Sequence, residues 1–119
     1  MRVMVIVKAT ADSETGQLPS VELMQAMGLF NQQLMEAGVM VDGGGLKPSS
    51  HGARVAFNGP NREVKVGPFG NVPDLISGYW IWLVKDLDEA IAWVKRCPNP
   101  MPVPSEIEIR PLYEMEDFA

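Results

Sequence analysis

Hydrophobic and polar positions form short runs along the chain that predict six β-strands. Two runs are apolar at nearly every position, which indicates strands that are buried on both faces of a sheet. Three others alternate with a period of two, and a sixth runs into three consecutive glycines. The predicted strands are Val3–Val7, Val39–Val41, Ala53–Phe57, Glu63–Val66, Tyr79–Val84 and Glu106–Arg110.

Two segments carry apolar residues at helical spacing, in which positions three or four apart share one face. In the first segment that face consists of Leu23, Met27, Phe30 and Leu34. Ser20 is a favourable N-cap for this helix, and Gly38 suits the left-handed conformation that ends it. The second helix opens at Asp86–Glu89, which resembles a capping box, and stops before Pro98. The segment Thr10–Pro19 is predicted to be a loop.

The order of these elements is β-α-β, then a hairpin, then β-α-β. Two such units with right-handed crossovers interlock into a ferredoxin-like α+β sandwich. In that topology the first strand and the strand before the second helix are central, and these are the two strands that are apolar on both faces. The last strand would lie at an edge, and Glu106–Arg110 is the strand with one charged face.

Two helices cover only one face of such a sheet, so the other face is expected to lie open. The central strand Tyr79–Val84 presents two alternating sets, Tyr79, Ile81 and Leu83 on one face and Trp80, Trp82 and Val84 on the other. An exposed patch with two tryptophans marks an interface or a ligand site. We therefore predict a homodimer that packs the open sheet faces together and leaves clefts between them, as in a dimeric α+β barrel.

Length, composition and charge indicate which classes of protein the chain can belong to. The chain has 119 residues, 46% of them hydrophobic, and a formal net charge of −5. This length predicts one domain over residues 1–119, and the acidic balance argues against nucleic acid as a partner. The single cysteine, Cys97, forms no internal disulfide, and the apolar run Val3–Val7 is too short to span a membrane. We expect a cytoplasmic protein that does not bind membranes.

Several spaced motifs identify a family. The motif segments are Gly43–Pro48, Gly67–Phe69, Gly78–Trp82, Asp88–Pro98 and Glu106–Pro111. In order and spacing they resemble the YCII-related (DGPF-domain) proteins, over nearly the whole chain. The resemblance implies a ferredoxin-like fold within the dimeric α+β barrel superfamily, and a small bacterial protein of unassigned activity. Some relatives resemble enzymes that act on small ring compounds, with a His and an Asp in the cleft.

The chain departs from the family pattern where chemistry is expected. Val66 occupies the position of the Asp in the usual Asp-Gly-Pro-Phe motif. The segment Gly70–Asp74 replaces the common Ala-Glu-Thr-Lys-Glu, so that Asp74 is the only acidic match left in this loop. No histidine lies in the first predicted helix. The dyad of the enzymatic relatives therefore has no counterpart here, and we assign no catalytic residue.

The first functional hypothesis is a non-catalytic or catalytically degenerate dimer that binds a small aromatic or anionic metabolite. Its cleft would be walled by Trp80, Trp82 and Phe69, and Arg54 or Lys8 would hold an anionic group, because Arg grips carboxylates in a bidentate manner. The candidate ligand-binding residues are Lys8, Met27, Arg54, Pro68, Phe69, Trp80 and Trp82. No cofactor is implied, and no pair of residues has metal-ligand spacing.

Two other classes of function stay open. A lyase or isomerase acting on a small ring compound would use His51 or Asp74 as its base, pointing into the cleft beside Arg54. A regulatory or structural module would instead act through a partner protein. Gly43–Gly45 lacks the spacing of a phosphate-binding loop and leads into a strand, so that bulged strand geometry is the better explanation. Cys97, at a helix C-terminus, is expected to be an unreactive thiol.

Overall fold

The computed structural model describes residues 1–119 as an α+β fold with six strands and three α-helices. The strands are β1 (Arg2–Lys8), β2 (Met40–Gly45), β3 (Ala53–Asn58), β4 (Asn61–Val66), β5 (Ile76–Leu83) and β6 (Ile107–Pro111). The helices are α1 (Ala11–Glu14), α2 (Val21–Glu36) and α3 (Leu87–Arg96). Single 3₁₀ turns lie at Ser49–His51, Val72–Asp74 and Met115–Phe118. None of the helices combines the length and the apolar character that a membrane span requires.

Four strands form one antiparallel sheet in the order β2-β5-β1-β6, while β3 and β4 form a separate hairpin. This order is that of a ferredoxin-like fold, with the hairpin inserted before the second β-α-β unit, and it confirms the predicted architecture. The central strands are β1 and β5, the two that are apolar on both faces. β6 lies at an edge, as its charged face predicted.

The two long helices begin at the residues that the sequence predicts. The Ser20 hydroxyl caps α2 by accepting a hydrogen bond from the Leu23 N–H at 3.1 Å. The Asp86 carboxylate caps α3 by accepting the Glu89 N–H at 2.9 Å. The Glu89 carboxylate accepts the Lys85 N–H at 2.8 Å, one residue earlier than in a standard capping box. Both caps satisfy backbone donors that the first helical turn leaves free.

The prediction that Thr10–Pro19 is a loop is wrong for its first half, which forms α1. The Thr10 hydroxyl accepts the Ser13 N–H at 3.4 Å, and the Ser13 hydroxyl oxygen accepts the Thr10 N–H at 3.0 Å. This reciprocal pair is a capping box. A helix of four residues is too short to show a hydrophobic period, so that only the cap residues could have signalled it.

The core lies between the sheet and the long helices α2 and α3, and it contains the tryptophans of β5. Trp82 is fully buried, Trp80 is 7% exposed, and the Phe30 ring of α2 meets their rings edge-on at 6.0 and 6.2 Å. The Trp80 indole N–H donates to the Asn31 side-chain oxygen at 2.9 Å. The prediction that these tryptophans wall an open cleft is therefore wrong. Their volume fills the space beneath the helices, and the set Tyr79, Ile81 and Leu83 faces the open side.

The glycines Gly43–Gly45 are part of β2, next to a bulge between Met40 and Asp42. A Cβ atom on Gly43 would lie 2.8 Å from Cδ1 of Trp80, closer than any side chain tolerates. The run therefore lets β2 approach a large buried ring. Its place in a strand agrees with the interpretation as strand geometry over that of a phosphate loop, although the bulge itself precedes the glycines.

The β3–β4 hairpin stands away from the sheet, and all twelve of its strand residues are exposed. Its two-residue turn places Gly59 at φ 58°, as a type II′ turn requires at its first central position. The radius of gyration of 16.3 Å exceeds the value of about 13.5 Å expected for a compact domain of this length. The protruding hairpin is consistent with that difference.

Candidate functional site

Three segments outside the strands are joined at the end of the sheet where β1 stops and β5 begins. The carboxylate of Glu14, at the end of α1, accepts hydrogen bonds from the Ser49 N–H at 2.9 Å and from the Ser49 hydroxyl. The same hydroxyl oxygen accepts the Phe69 N–H at 3.1 Å. Ser49 thereby links α1, the turn before β3 and the segment after β4. All three residues are half-buried, so these bonds anchor the position of Phe69.

Gly67 allows this segment to pack against the turn. Its N–H donates to the Gly52 carbonyl at 3.0 Å. A Cβ atom at this position would lie 1.8 Å from the Ser49 carbonyl oxygen, so that only glycine fits. The peptide bond that follows, to Pro68, is cis. The Gly67–Phe69 motif is thus a close backbone contact that places an aromatic ring beside β3.

Arg54 of β3 lies over that ring, with its guanidinium carbon 4.1 Å from the centroid of Phe69. This distance is that of a cation–π contact. The ion pairs of the protein involve other residues, Arg2 with Glu114 and Arg110 with Glu108, and Arg54 donates no side-chain hydrogen bond. A positioned guanidinium therefore presents a full set of donors to a ligand.

Lys65 lies beside the candidate residue Arg54, and the sequence interpretation did not include it. In the hairpin register Arg54 lies directly opposite Lys65, so that the two cations share the polar face. Like charges at opposed positions repel each other, and an anion bound between them would relieve that repulsion. The pairing of Asn58 with Asn61 around the Gly59–Pro60 turn sets this register, and counting back from the turn would have found it.

The structure brings together part of the predicted site and separates the rest. Arg54, Pro68 and Phe69 form one group, and Lys8 lies at the same end of the sheet, where it pairs with Ile76. Met27 lies elsewhere, in a groove of about 330 Å³ beside α2. Its lining residues are Pro19, Leu23, Met24, Met27, Gly28, Asn31 and Pro100. With the two tryptophans buried in the core, the cleft of seven residues is not a single site.

Neither candidate base stands in a position suited to proton transfer. His51 is exposed in its 3₁₀ turn, and its imidazole has no hydrogen-bond partner. The Asp74 carboxylate accepts a hydrogen bond from the side-chain amide of Asn71 in an exposed turn. A general base works when a partner orients it toward a substrate. The geometry therefore suits the binding of a ligand better than proton transfer to or from it.

Cys97 is half-buried at the end of α3, and its thiol contacts the Pro98 carbonyl at 3.2 Å. Burial raises the pKa of this thiol to about 11, because the thiolate loses hydration. Cys97 is thus a poor nucleophile near neutral pH. The protein has no group of three or more histidine, cysteine or carboxylate side chains placed to hold a metal ion.

The chain was compared with models of protein families and with curated proteins. The family model described as YCII-related domain matches residues 1–116, which span every element from β1 to β6. A comparison with curated proteins found no match. The resemblance carried by the glycine, proline and tryptophan motifs is thereby confirmed.

Proposed function

The chain belongs to the YCII-related domain family, and from that premise we propose that it is a dimeric protein that binds a small anionic metabolite at Arg54. One observation carries the proposal, the unpaired guanidinium of Arg54 above the ring of Phe69. Guanidinium groups bind carboxylates and phosphates in a planar, bidentate manner. The ligand class is therefore a small molecule with a carboxylate or phosphate group.

The surroundings of Arg54 support this ligand class. Lys65 adds a second positive charge on the same face of the hairpin, and Phe69 supplies an apolar surface for the remainder of the ligand. Glu63 lies on the same face, opposite Ala56, but it forms no ion pair with Arg54 or Lys65. The Glu14 carboxylate is engaged by both donor groups of Ser49. An incoming anion would therefore meet Arg54 without displacing an internal ion pair.

We propose binding rather than catalysis because the carboxylate that remains in the loop, that of Asp74, is exposed and engaged by the Asn71 side chain. Val66 stands where the family motif has Asp, and its side chain is 75% exposed at the end of β4. An aliphatic side chain neither accepts nor donates a proton. Arg54 and Lys65 lie nearby on β3 and β4, and both are cations that suit the binding of an anion.

The dimer is proposed from the open face of the sheet. Its centre consists of half-buried apolar side chains from the two central strands, Met4, Ile6, Tyr79 and Ile81. Its edge on β6 carries the ion pair of Arg110 with Glu108 at 3.2 Å. An apolar centre with a charged rim is typical of protein interfaces. We propose that two copies pack these faces together.

Calorimetric titration tests the binding proposal. The wild type, Arg54→Gln and Arg54→Lys are titrated with benzoate, succinate and inorganic phosphate. At least one anion should bind the wild type saturably, with affinity reduced about tenfold or more in Arg54→Gln. Arg54→Lys should recover part of the affinity, because it keeps charge but loses the bidentate contact. No saturable binding by any of the three anions would overturn the proposal.

Arg96→Gln is the matched control for that experiment. Arg96 also stacks on an aromatic ring, that of Trp93 at 4.3 Å, but its guanidinium already donates to Gln33 at 2.8 Å. This variant removes the same charge and the same kind of contact at another place. Anion affinity should remain within about twofold of the wild type. An equal loss in both variants would show that net charge alone, and no built site, controls binding.

Sedimentation equilibrium tests the dimer separately. Ile81→Asp places a charge in the centre of the open face, and Leu29→Asp places one on α2, where Leu29 is 62% exposed. The wild type and Leu29→Asp should be dimers at micromolar concentration, and Ile81→Asp should be a monomer. Far-ultraviolet circular dichroism verifies that each variant is folded. A monomeric wild type would contradict the proposed assembly.

A further inference from the structure

The β3–β4 hairpin has an apolar face that nothing in the chain covers. Val55, Phe57, Val64 and Val66 share this face by the strand register, and they are 47%, 73%, 63% and 75% exposed. A two-stranded hairpin alone is only marginally stable in water. An apolar face of this kind usually belongs to an interface.

A groove of about 440 Å³ lies at the other end of the sheet. It is lined by Met1, Arg2, Leu83, Glu114, Met115 and Glu116. Half of these side chains are apolar and two are acidic. Arg2 is engaged by Glu114 through two hydrogen bonds of 3.1 Å, whereas the Glu116 carboxylate forms no ion pair. The groove therefore combines an apolar surface with an unpaired negative charge.

The tip of the hairpin matches this groove in chemistry. Phe57 is an exposed aromatic ring, and the guanidinium carbon of Arg62 lies 4.5 Å from its centroid. Arg62 is opposite Phe57 in the register, so the positive charge and the ring share one face. The apolar ring suits the groove residues Leu83 and Met115. Nη1 of Arg62 donates to the Gly59 and Asn61 carbonyls at 2.7 and 2.8 Å, which holds the guanidinium beside the ring, and its other N–H groups suit the carboxylate of Glu116.

The hairpin and the groove of one chain lie too far apart to meet. The chain leaves β2 toward the hairpin at the start of β5, where the Leu46 N–H donates to the Ser77 carbonyl at 2.8 Å, and the groove includes Leu83 at the end of β5. Eight strand residues separate these ends by about 25 Å. The hairpin strands are exposed throughout, so they do not fold back over the sheet. The occupant that fits the groove is consequently the hairpin of another copy.

We propose that the hairpin tip of each protomer, Phe57 with Arg62, docks in the Leu83–Met115–Glu116 groove of a second copy. We place the twofold axis between the two sheets and perpendicular to their strands. The hairpin end of each sheet then lies over the groove end of the other, so the same contact forms twice. This proposal rests on the dimer proposed above and adds a reciprocal contact to it. The tip of the hairpin's apolar face, at Phe57, is thereby covered in the dimer.

The dissociation constant of the dimer, measured by sedimentation equilibrium on variants of the 119-residue chain, provides the first test. Phe57→Ala should weaken dimerisation at least about tenfold, since it removes a large apolar side chain from two symmetric contacts. Leu18→Ala is the control, because Leu18 is 81% exposed and lies outside both the hairpin and the groove. Arg62→Glu should also weaken the dimer, and adding Glu116→Lys to it should restore most of the affinity. Dimerisation unchanged by Phe57→Ala and Arg62→Glu would overturn the proposal.

Crosslinking locates the contact directly and separates it from the sheet-face dimer. Chains carrying Val64→Cys are mixed with chains carrying Met115→Cys, both in a Cys97→Ser background, and treated with a short bis-maleimide. A covalent dimer that forms only from the mixture is expected. A Leu29→Cys chain in place of Met115→Cys is the control and should give none. A dimer by sedimentation that yields no Val64–Met115 crosslink would overturn this contact while leaving the sheet-face dimer in place. A monomeric wild type would overturn both.

Discussion

The guanidinium of Arg54 lies 4.1 Å from the ring centroid of Phe69, although the two residues belong to different structural units. Arg54 is on the protruding hairpin, and Phe69 is fixed to the end of the sheet by its hydrogen bond to Ser49. Their contact orients a cation whose donors have no partner in the chain. The proposed binding function follows from this relationship, and several measurable properties of the protein follow from the packing around it.

The opposition of Arg54 and Lys65 predicts an effect on stability that depends on anions. Replacing Lys65 by Thr removes the repulsion between the two cations and places a good strand former in β4. In low-salt buffer Lys65→Thr should therefore raise the free energy of unfolding by about 0.2–1 kcal/mol. Phosphate should stabilise the wild type more than this variant. Urea denaturation with and without phosphate measures both effects, and equal phosphate stabilisation of the two proteins would contradict the account.

The close approach of β2 to the core predicts different tolerance for two glycines of one strand. Gly43→Ala places a Cβ atom 2.8 Å from Cδ1 of buried Trp80, whereas Gly45→Ala meets no atom within 4 Å. Gly43→Ala should destabilise the protein by about 1–3 kcal/mol, as overpacking of a core does. Gly45→Ala should change stability by less than about 1 kcal/mol. Chemical denaturation of both variants provides the comparison, and similar midpoints would show that Trp80 is not packed as described.

Burial of Cys97 predicts slow reaction with alkylating reagents. Since its pKa is raised to about 11 by burial, little thiolate is present in the native state at pH 8. Iodoacetamide should modify the native protein much more slowly than the protein in urea. The native rate should rise as the pH approaches the raised pKa. Mass spectrometry of timed samples measures the two rates, and native modification as fast as that in urea would be the contrary result.

The Arg2–Glu114 contact predicts a contribution to stability that acid removes. The hydrogen bonds from Arg2 hold the pKa of the Glu114 carboxyl below its ordinary value, and the charge of Arg2 adds to this effect. A carboxyl with a lowered native pKa stabilises the fold above its unfolded pKa of about 4.3. That contribution is lost as the pH falls through the lowered native value.

At neutral pH the variant Glu114→Gln should therefore be less stable than the wild type. The difference should diminish as the pH falls below about 4. Glu108→Gln, which removes one carboxylate from the ion pair within β6, serves as the control for a change in net charge. Thermal unfolding as a function of pH measures the effect. A difference that stays constant down to pH 2 would argue against a role for the Glu114 charge.

Local patterns were sufficient to predict the strands, the two long helices and the order of the strands in the sheet. The two-faced apolar strands placed β1 and β5 at the centre of the sheet, and Ser20 and Asp86 marked the helix starts where the side-chain caps are observed. The four-residue helix α1 escaped detection, since one turn has no hydrophobic period. Its Thr10 and Ser13 caps were visible only as loop-forming residues.

The candidate site was harder to predict because it depends on which face of a strand is covered. Alternation assigns Trp80 and Trp82 to one face of β5 but does not state which face receives the helices. Their burial shows that the larger rings fill the helix–sheet space, and this could not be read from spacing alone. Arg54 and Phe69 were both predicted as site residues, but their contact and the role of Lys65 required the hairpin register.

The most direct test of the central claim observes the Arg54 side chain itself. The Nε–H resonances of ¹⁵N-labelled arginine are followed by NMR during titration with benzoate, succinate and phosphate, and Arg54→Gln identifies the Arg54 signal. With the anion that binds, the Arg54 resonance should shift saturably, and the Arg96 resonance should stay in place. Saturable binding of that anion with an unmoved Arg54 resonance would contradict the account and place the ligand elsewhere on the protein.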